Sequence, residues 1–175
     1  MLSIPITLLN RAGATMTFVD ILKQADIFYE LTDTQLEMVS SICRELHFAA
    51  SEVVFEEGSA GQELYIIANG QVEIQVQPAT SSASNSGLIT ITTLRRGQSF
   101  GEVALVDQGL RSALARCSQP DTTLLMIPRD KLMLLCDSYP LLGYRLMRNL
   151  AADLAMKIRN TDLQVREYLT WTRRG

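Results

Sequence analysis

The apolar residues of this chain change rhythm twice. Between Thr17 and Leu46 they recur at helical spacing, first as Phe18, Ile21, Leu22 and Ala25, then as Leu36, Val39 and Ile42. The second set lies in TDTQLEMVSSICREL, where Thr32 or Asp33 is placed to cap a helix, so two short helices are predicted. From Phe48 the period shortens. EVVFEEG, ELYIIANG, QVEIQVQ, LITITTL, RSALARC and TTLLMIP are short runs of alternating or β-branched residues, several of them separated by glycine-bearing turns. They predict a compact antiparallel β unit of jelly-roll type. Gly58, Gly61, Gly70, Gly97 and Gly101 sit at its corners, where positive φ or tight turning is expected. The small polar stretch PATSSASNSG, between the third and fourth runs, reads as a connecting hairpin loop.

After Pro128 the helical period returns in RDKLMLLCDSY, stops at Pro140 and resumes as LLGYRLMRNLAADLAMKIRNTDLQVREYL. In that last helix Tyr144, Met147, Ala151, Leu154, Ile158, Thr161, Val165 and Tyr168 are separated alternately by three and four residues. This is the seam of a coiled coil, and it predicts a homodimer through the C-terminal helix, the alternative being a helix folded wholly onto its own domain. Leu146, Leu150 and Leu169 fall outside the seam and are available to pack on the β unit. The expected organisation is an N-terminal extension over 1–16, a β-roll domain with flanking helices over 17–140, and a dimerisation helix with its tail over 141–175.

Composition narrows the function. The 175 residues are 47% hydrophobic and 20% charged, with a net charge of −3, which supplies no chain-wide footprint for nucleic acid. One histidine, His47, rules out an all-protein histidine metal site, and with no Ser-His-Asp or Cys-His set evident, no enzymatic activity is expected. Cys43, Cys117 and Cys136 are widely spaced in apolar surroundings and read as reduced core thiols of a cytoplasmic protein. No run approaches the roughly 18 apolar residues of a membrane span, and the apolar start MLSIPITLLN lacks the basic region of a secretory signal.

The stretch FGEVALVDQGLRSALAR, residues 100–116, carries the chemistry. Gly101 precedes VALV, long enough for one helical turn, and Arg111-Ser112-Ala113 then opens a strand. Free amides facing an arginine fork make a phosphate site. Glu102 beside that anion is explained if the ligand also presents a hydroxyl that the carboxylate accepts from. The other reading of the same residues is a buried Glu102–Arg111 ion pair that stabilises the turn.

FGEVAL followed by Arg-Ser-Ala, with Arg111 nine positions after Glu102, resembles the phosphate-binding cassette of cyclic nucleotide-binding domains. EVVFEEGSAGQELYIIANGQVEI resembles that family's glycine-punctuated roll, and the helix after Pro140 its C-terminal helix, so the resemblance covers roughly residues 17–169. It implies a mainly β fold, a double-stranded β-helix with N-terminal helices and a long C-terminal helix. It also implies a cyclic AMP ligand, or less favourably cyclic GMP. Under it Glu102 accepts from the ribose 2′-hydroxyl, Arg111 pairs with the cyclic phosphate, and Gly101 with the amides of Val103 and Ala104 lets the ligand approach the backbone. Ser112 adds phosphate or purine contacts, Ala113 lines the pocket, Ile74, Ile91 and Leu94 pack on the purine, and Thr161 reaches the base. Ile74, Ile91 and Leu94 also read as ordinary roll core. Only TWTRRG follows Leu169, and no DNA-binding, kinase or pore segment is recognisable. A stand-alone receptor with an unknown protein partner is therefore expected. The alternatives are a degenerate roll serving as a dimeric interaction module, or the sensor portion of a transcription regulator.

Overall fold

The computed structural model describes residues 7–9, 15–78, 87–107 and 109–172. A short hairpin, β1 (Thr7–Leu9) against β2 (Thr15–Thr17), leads directly into α1 (Phe18–Leu22). Thr17 caps α1 by a reciprocal pair: its hydroxyl accepts from the Asp20 amide while the Asp20 carboxylate accepts from the Thr17 amide. A single 3₁₀ turn (Asp26–Phe28) follows, then α2 (Asp33–Ile42), capped in the same way by Thr32 and Gln35. The two predicted helices are present, and Thr32 rather than Asp33 is the cap.

The β unit consists of two four-stranded antiparallel sheets. In one, β3 (Arg44–Phe48), β10 (Thr122–Pro128), β5 (Glu63–Asn69) and β8 (Ser99–Phe100) lie side by side in that order. In the other the order is β4 (Val53–Phe55), β9 (Leu114–Cys117), β6 (Gln71–Val76) and β7 (Ile89–Arg95). The chain is mostly antiparallel β with flanking helices, the jelly roll expected from the strand rhythm.

Strand β5 explains where the cores sit. Its run ELYIIAN is apolar on both faces because both are covered. Tyr65 and Ile67 point between the sheets with Val72, Leu94, Phe100 and Leu124, whereas Leu64 and Ile66 point outward into a helical layer that includes Ile21, Leu36 and Leu132. That layer is completed by α4 (Arg129–Ser138) and α5 (Pro140–Thr172), which begins at a proline suited to the first helical position. A single turn, α3 (Val103–Val106), follows β8, and its Leu105 joins the same core.

Helix α5 has two regimes. Its first half is clamped: Leu142, Leu146 and Leu150 are fully buried, Asn149 donates to the carbonyls of Ile27 and Tyr29, and Arg148 pairs with Glu30 at 2.6 Å. Beyond Leu154 the apolar residues Ile158, Leu163, Val165 and Leu169 are exposed. Of the predicted seam, Tyr144, Met147, Ala151, Ile158, Thr161 and Val165 face solvent, while Leu154 packs partly against the helical core. The side chain of Tyr168 lies outside the described residues. Leu146 and Leu150 pack on the domain as expected, but Leu169 does not.

Three local expectations are corrected. The first sheet begins at Arg44 rather than after Phe48, because the Leu46 side chain belongs to the roll core and not to a helical face. Arg111, Ser112 and Ala113 precede β9, which starts at Leu114. Gly58, Gly70, Gly97 and Gly101 have positive φ, but Gly61 does not, and its role is steric. The hairpin of β1 and β2 and the two-residue β8 had no signal in the apolar pattern. Residues 79–86, most of the polar loop, lie outside the described residues, as do Arg173 and Arg174.

Burial pushes the Cys43 thiol up to about 12 from an ordinary 9.0, and the Cys117 thiol up to about 11. A raised thiol value keeps the folded state protonated where the unfolded chain ionises, so this contribution to stability is complete below pH 9 and is lost as pH rises toward 12. Urea unfolding at several pH values is expected to show stability falling through that window, by up to about 1.4 kcal/mol per pH unit for one such group. Cys43→Ala is expected to remove its share of the slope.

Candidate functional site

The sequence 100–113 folds around one buried cation. Gly101, at φ +78°, turns the chain out of β8, and a side chain there would press on the Glu63 carbonyl and the Arg111 guanidinium. Arg111 is stapled to the turn before β5: its amide donates to the Ser59 carbonyl and its carbonyl accepts from the Gly58 amide, both at 2.8 Å. From there its side chain runs inward and is 4% exposed. One terminal nitrogen donates to the carbonyls of Glu63 (3.1 Å) and Gly101 (3.3 Å), and the other to the Glu63 carbonyl and carboxylate (3.1 and 3.0 Å). The Phe55 ring lies 4.2 Å from the guanidinium carbon, a cation–π contact. Nε, by contrast, is buried without a hydrogen-bond partner among the described residues. Gly61 packs against that nitrogen so closely that any side chain would overlap it.

Glu102 is buried too, at 6% exposure, and faces the other way. Its Oε1 accepts from Lys157 Nζ of α5 at 2.9 Å. The same ammonium lies 2.8 Å from Asp153, one turn back on the helix, and 3.4 Å from the Ser99 carbonyl. Burial alone would lower the Lys157 ammonium, but the Glu102 and Asp153 carboxylates outweigh it and hold the group above its ordinary value. The alternative reading of Glu102 and Arg111 as each other's partner is thereby corrected. Arg111 takes its carboxylate from Glu63 and Glu102 its cation from Lys157, because the turn between them points the two side chains to different elements.

Between the roll and α5 lies a cavity of about 540 Å³. Gly101, Glu102, Val103, Arg111, Ser112 and Ala113 line it from the loop, Ile74, Ile91 and Leu94 from β6 and β7, and Thr161 from α5. The structure thus brings together ten of the eleven residues expected at a site; Ala104 is in α3, and its side chain lies outside the described residues. Leu94 is buried, Ile74 half-buried, and Ile91, on the edge strand β7, exposed. Thr161 donates its hydroxyl proton to the Lys157 carbonyl at 3.0 Å, which leaves oxygen lone pairs for an incoming donor.

Phe55, Glu63, Lys157, Asn160 and Gln164 were missed by sequence reasoning. Glu63 and Phe55 are far from Arg111 along the chain and meet it only through strand pairing. Lys157 had a signal, since Asp153, Lys157 and Thr161 repeat every four residues on one helical face. Among the described residues no group of three His, Cys, Asp or Glu side chains could hold a metal ion. The cavity therefore offers a buried cation, a carboxylate with a spare acceptor and an apolar slot, which suits a hydroxyl-bearing anion with a flat apolar part.

The model of the cyclic nucleotide-binding domain family matches residues 45–139. The chain is 30% identical over 144 residues to a cyclic AMP receptor protein of Thermus thermophilus, a match covering 82% of this chain and 62% of that protein. A cAMP-dependent protein kinase regulatory subunit of Aspergillus fumigatus is 31% identical over 106 residues, 59% of this chain and 26% of the relative. The crystal structure of the Thermus thermophilus catabolite activator protein superposes with a TM-score of 0.69 at 29% identity, covering 81% of this chain and 62% of that one. The chain thus spans less than two thirds of the length of these relatives.

The contact of Gly61 with the Arg111 side chain has a measurable consequence. Gly61→Ala is expected to displace the guanidinium and lower unfolding stability by about 1–3 kcal/mol, the usual range for overpacking, as read by urea denaturation.

Proposed function

Because the chain belongs to the family of cyclic nucleotide-binding domains, we propose that it binds cyclic AMP in the cavity between the roll and α5. It reports occupancy through that helix and performs no catalysis of its own. The observation that carries this reading is the placement of a buried guanidinium, Arg111, and a buried carboxylate, Glu102, on the wall of one cavity. The phosphate is received by the Arg111 guanidinium and the backbone around Gly101 and Ser112, and the ribose 2′-hydroxyl donates to Glu102. The base lies against Ile74 and Leu94 and under Thr161.

Adenine is favoured over guanine by the state of Thr161. With its proton directed to the Lys157 carbonyl, the hydroxyl presents an acceptor, which suits the adenine amino group and not the guanine carbonyl at the same ring position. Cyclic GMP remains the competing ligand, through the Ser112 hydroxyl. The exposed stripe from Tyr144 to Val165 supports homodimerisation along α5, and the free thiols of Cys43, Cys117 and Cys136 suit the cytoplasm.

Ligand bound to the wall formed by α5 biases the helix only by its different contacts in the open and closed positions. Calorimetric titration is expected to show cyclic AMP binding more tightly than cyclic GMP. Arg111→Ala is expected to weaken cyclic AMP by about thirtyfold, the equivalent of roughly 2 kcal/mol for a charge-assisted partner; unchanged affinity would overturn the phosphate assignment. Sedimentation of Ile158→Glu, which puts a charge in the stripe, is expected to give monomers where the native chain gives dimers.

A further inference from the structure

We infer that Glu63 is an internal competitor of the ligand. Its carboxylate holds the donor of Arg111 that a cyclic phosphate has to take, so binding exchanges one anion for another. The inference rests on the cyclic nucleotide reading of the cavity and deepens it by naming what the phosphate displaces.

The donor inventory of Arg111 carries it. The two terminal nitrogens of a guanidinium have four N–H bonds between them, and all four are engaged. One nitrogen donates to the carbonyls of Glu63 and Gly101, the other to the Glu63 carbonyl and to Glu63 Oε2 at 3.0 Å. The fifth donor, Nε, is sealed from solvent with Gly61 packed against it. Phe55, 4.2 Å from the guanidinium carbon, leaves the group little room to turn another edge outward. Arg111 nevertheless lines the cavity. A phosphate that arrives there meets a cation whose terminal donors are all in use, and one existing bond has to break.

The acceptors differ in what it takes to move them. The Glu63 carbonyl belongs to β5, which is paired with β10 at that residue, and the Gly101 carbonyl belongs to a turn held at φ +78°. These are backbone groups fixed by the fold. The carboxylate of Glu63 is a side chain, 38% exposed, with solvent to swing into. Its Oε2 also accepts from the neighbouring Gln62 amide at 3.0 Å, which keeps it presented to the arginine. A carboxylate and an ionised phosphate ester are the same kind of partner for a guanidinium, so the exchange leaves the buried charge paired throughout. Glu63 is tethered to the same turn and makes its contact with no loss of translational freedom. Ligand affinity is therefore reduced by the fraction of molecules in which that carboxylate is seated. The contact that stabilises the protein opposes the ligand.

The test uses that opposition. A merely structural residue lowers stability and affinity together when it is removed, whereas a competitor lowers stability and raises affinity. Glu63→Gln and Glu63→Ala are expected to melt at lower temperature than the native chain without ligand, and to bind cyclic AMP about three- to fivefold more tightly in calorimetric titration, the worth of a partly exposed ion pair. Glu63→Gln keeps the side-chain length and the backbone contacts, so it carries the test should the alanine variant not fold. Because the competition acts through Arg111, the gain is expected to disappear when Glu63→Gln is combined with Arg111→Ala. Equal or weaker binding by folded Glu63→Gln overturns the competitor role and leaves the cyclic AMP reading standing. A gain that persists in full on Arg111→Ala also overturns it, by assigning the effect to net charge alone. If neither the native chain nor the variants bind cyclic AMP, the reading of the cavity falls instead.

Discussion

The structure is organised around a positive charge that has been taken out of water. A guanidinium as buried as that of Arg111 carries a desolvation penalty of several kcal/mol unless it is paired and hydrogen-bonded. The surrounding sequence meets that demand from four directions. Glu63 supplies a carboxylate and a carbonyl, Gly101 a second carbonyl, Phe55 and Tyr65 two aromatic faces, and Gly61 the absence of a side chain. These residues come from β4, β5 and the turns beside them, so the two sheets and the loop after β8 are positioned by one group.

A second constraint acts through α5. Its first half is part of the domain core, and its second half contributes a cavity wall while showing most of its apolar side chains to solvent. Burial is correspondingly uneven: Leu142, Leu146 and Leu150 are packed in the core, whereas most apolar side chains beyond Leu154 are exposed, the pattern of a helix whose distal half opens at lower cost. A helix anchored at one end and touching the ligand cavity at the other is suited to a population shift, since small differences in contact at Lys157 and Thr161 act on a long lever.

Legibility in the sequence followed the range of the interactions. The helices and most of the strands were readable because their apolar periods are local, and the glycines at Gly58, Gly70, Gly97 and Gly101 because a left-handed backbone leaves that mark. The misplacement of the first strand arose where Leu46 fits both a helical and a strand period, and β8 escaped because two residues have no period. In the cavity, the contiguous stretch from Gly101 to Ala113 was legible from its spacing together with its resemblance to a known cassette. The partners of its charges were not. Glu63 reaches Arg111 across 48 positions, and Lys157 reaches Glu102 across 55, and no local pattern fixes such pairs. The obvious guess, that Glu102 and Arg111 neutralise each other, failed for the same reason: proximity along the chain says little about direction at a tight turn.

The distribution of these charges also explains how a chain with a net charge of −3 accommodates an anion. Two cations, Arg111 and Lys157, stand against three carboxylates, Glu63, Glu102 and Asp153, so attraction at long range is weak and selection falls to donors and acceptors at contact distance. Under the proposed reading, a cyclic phosphate brings one negative charge to the Arg111 guanidinium. An open nucleotide monophosphate brings nearly two, and the second meets the carboxylates of Glu63 and Glu102 with no further cation to offset it. The same carboxylates that anchor the arginine and accept the sugar hydroxyl therefore penalise the uncyclised ligand. Selectivity for the ring then follows from the scarcity of free positive charge in the cavity and not from its abundance.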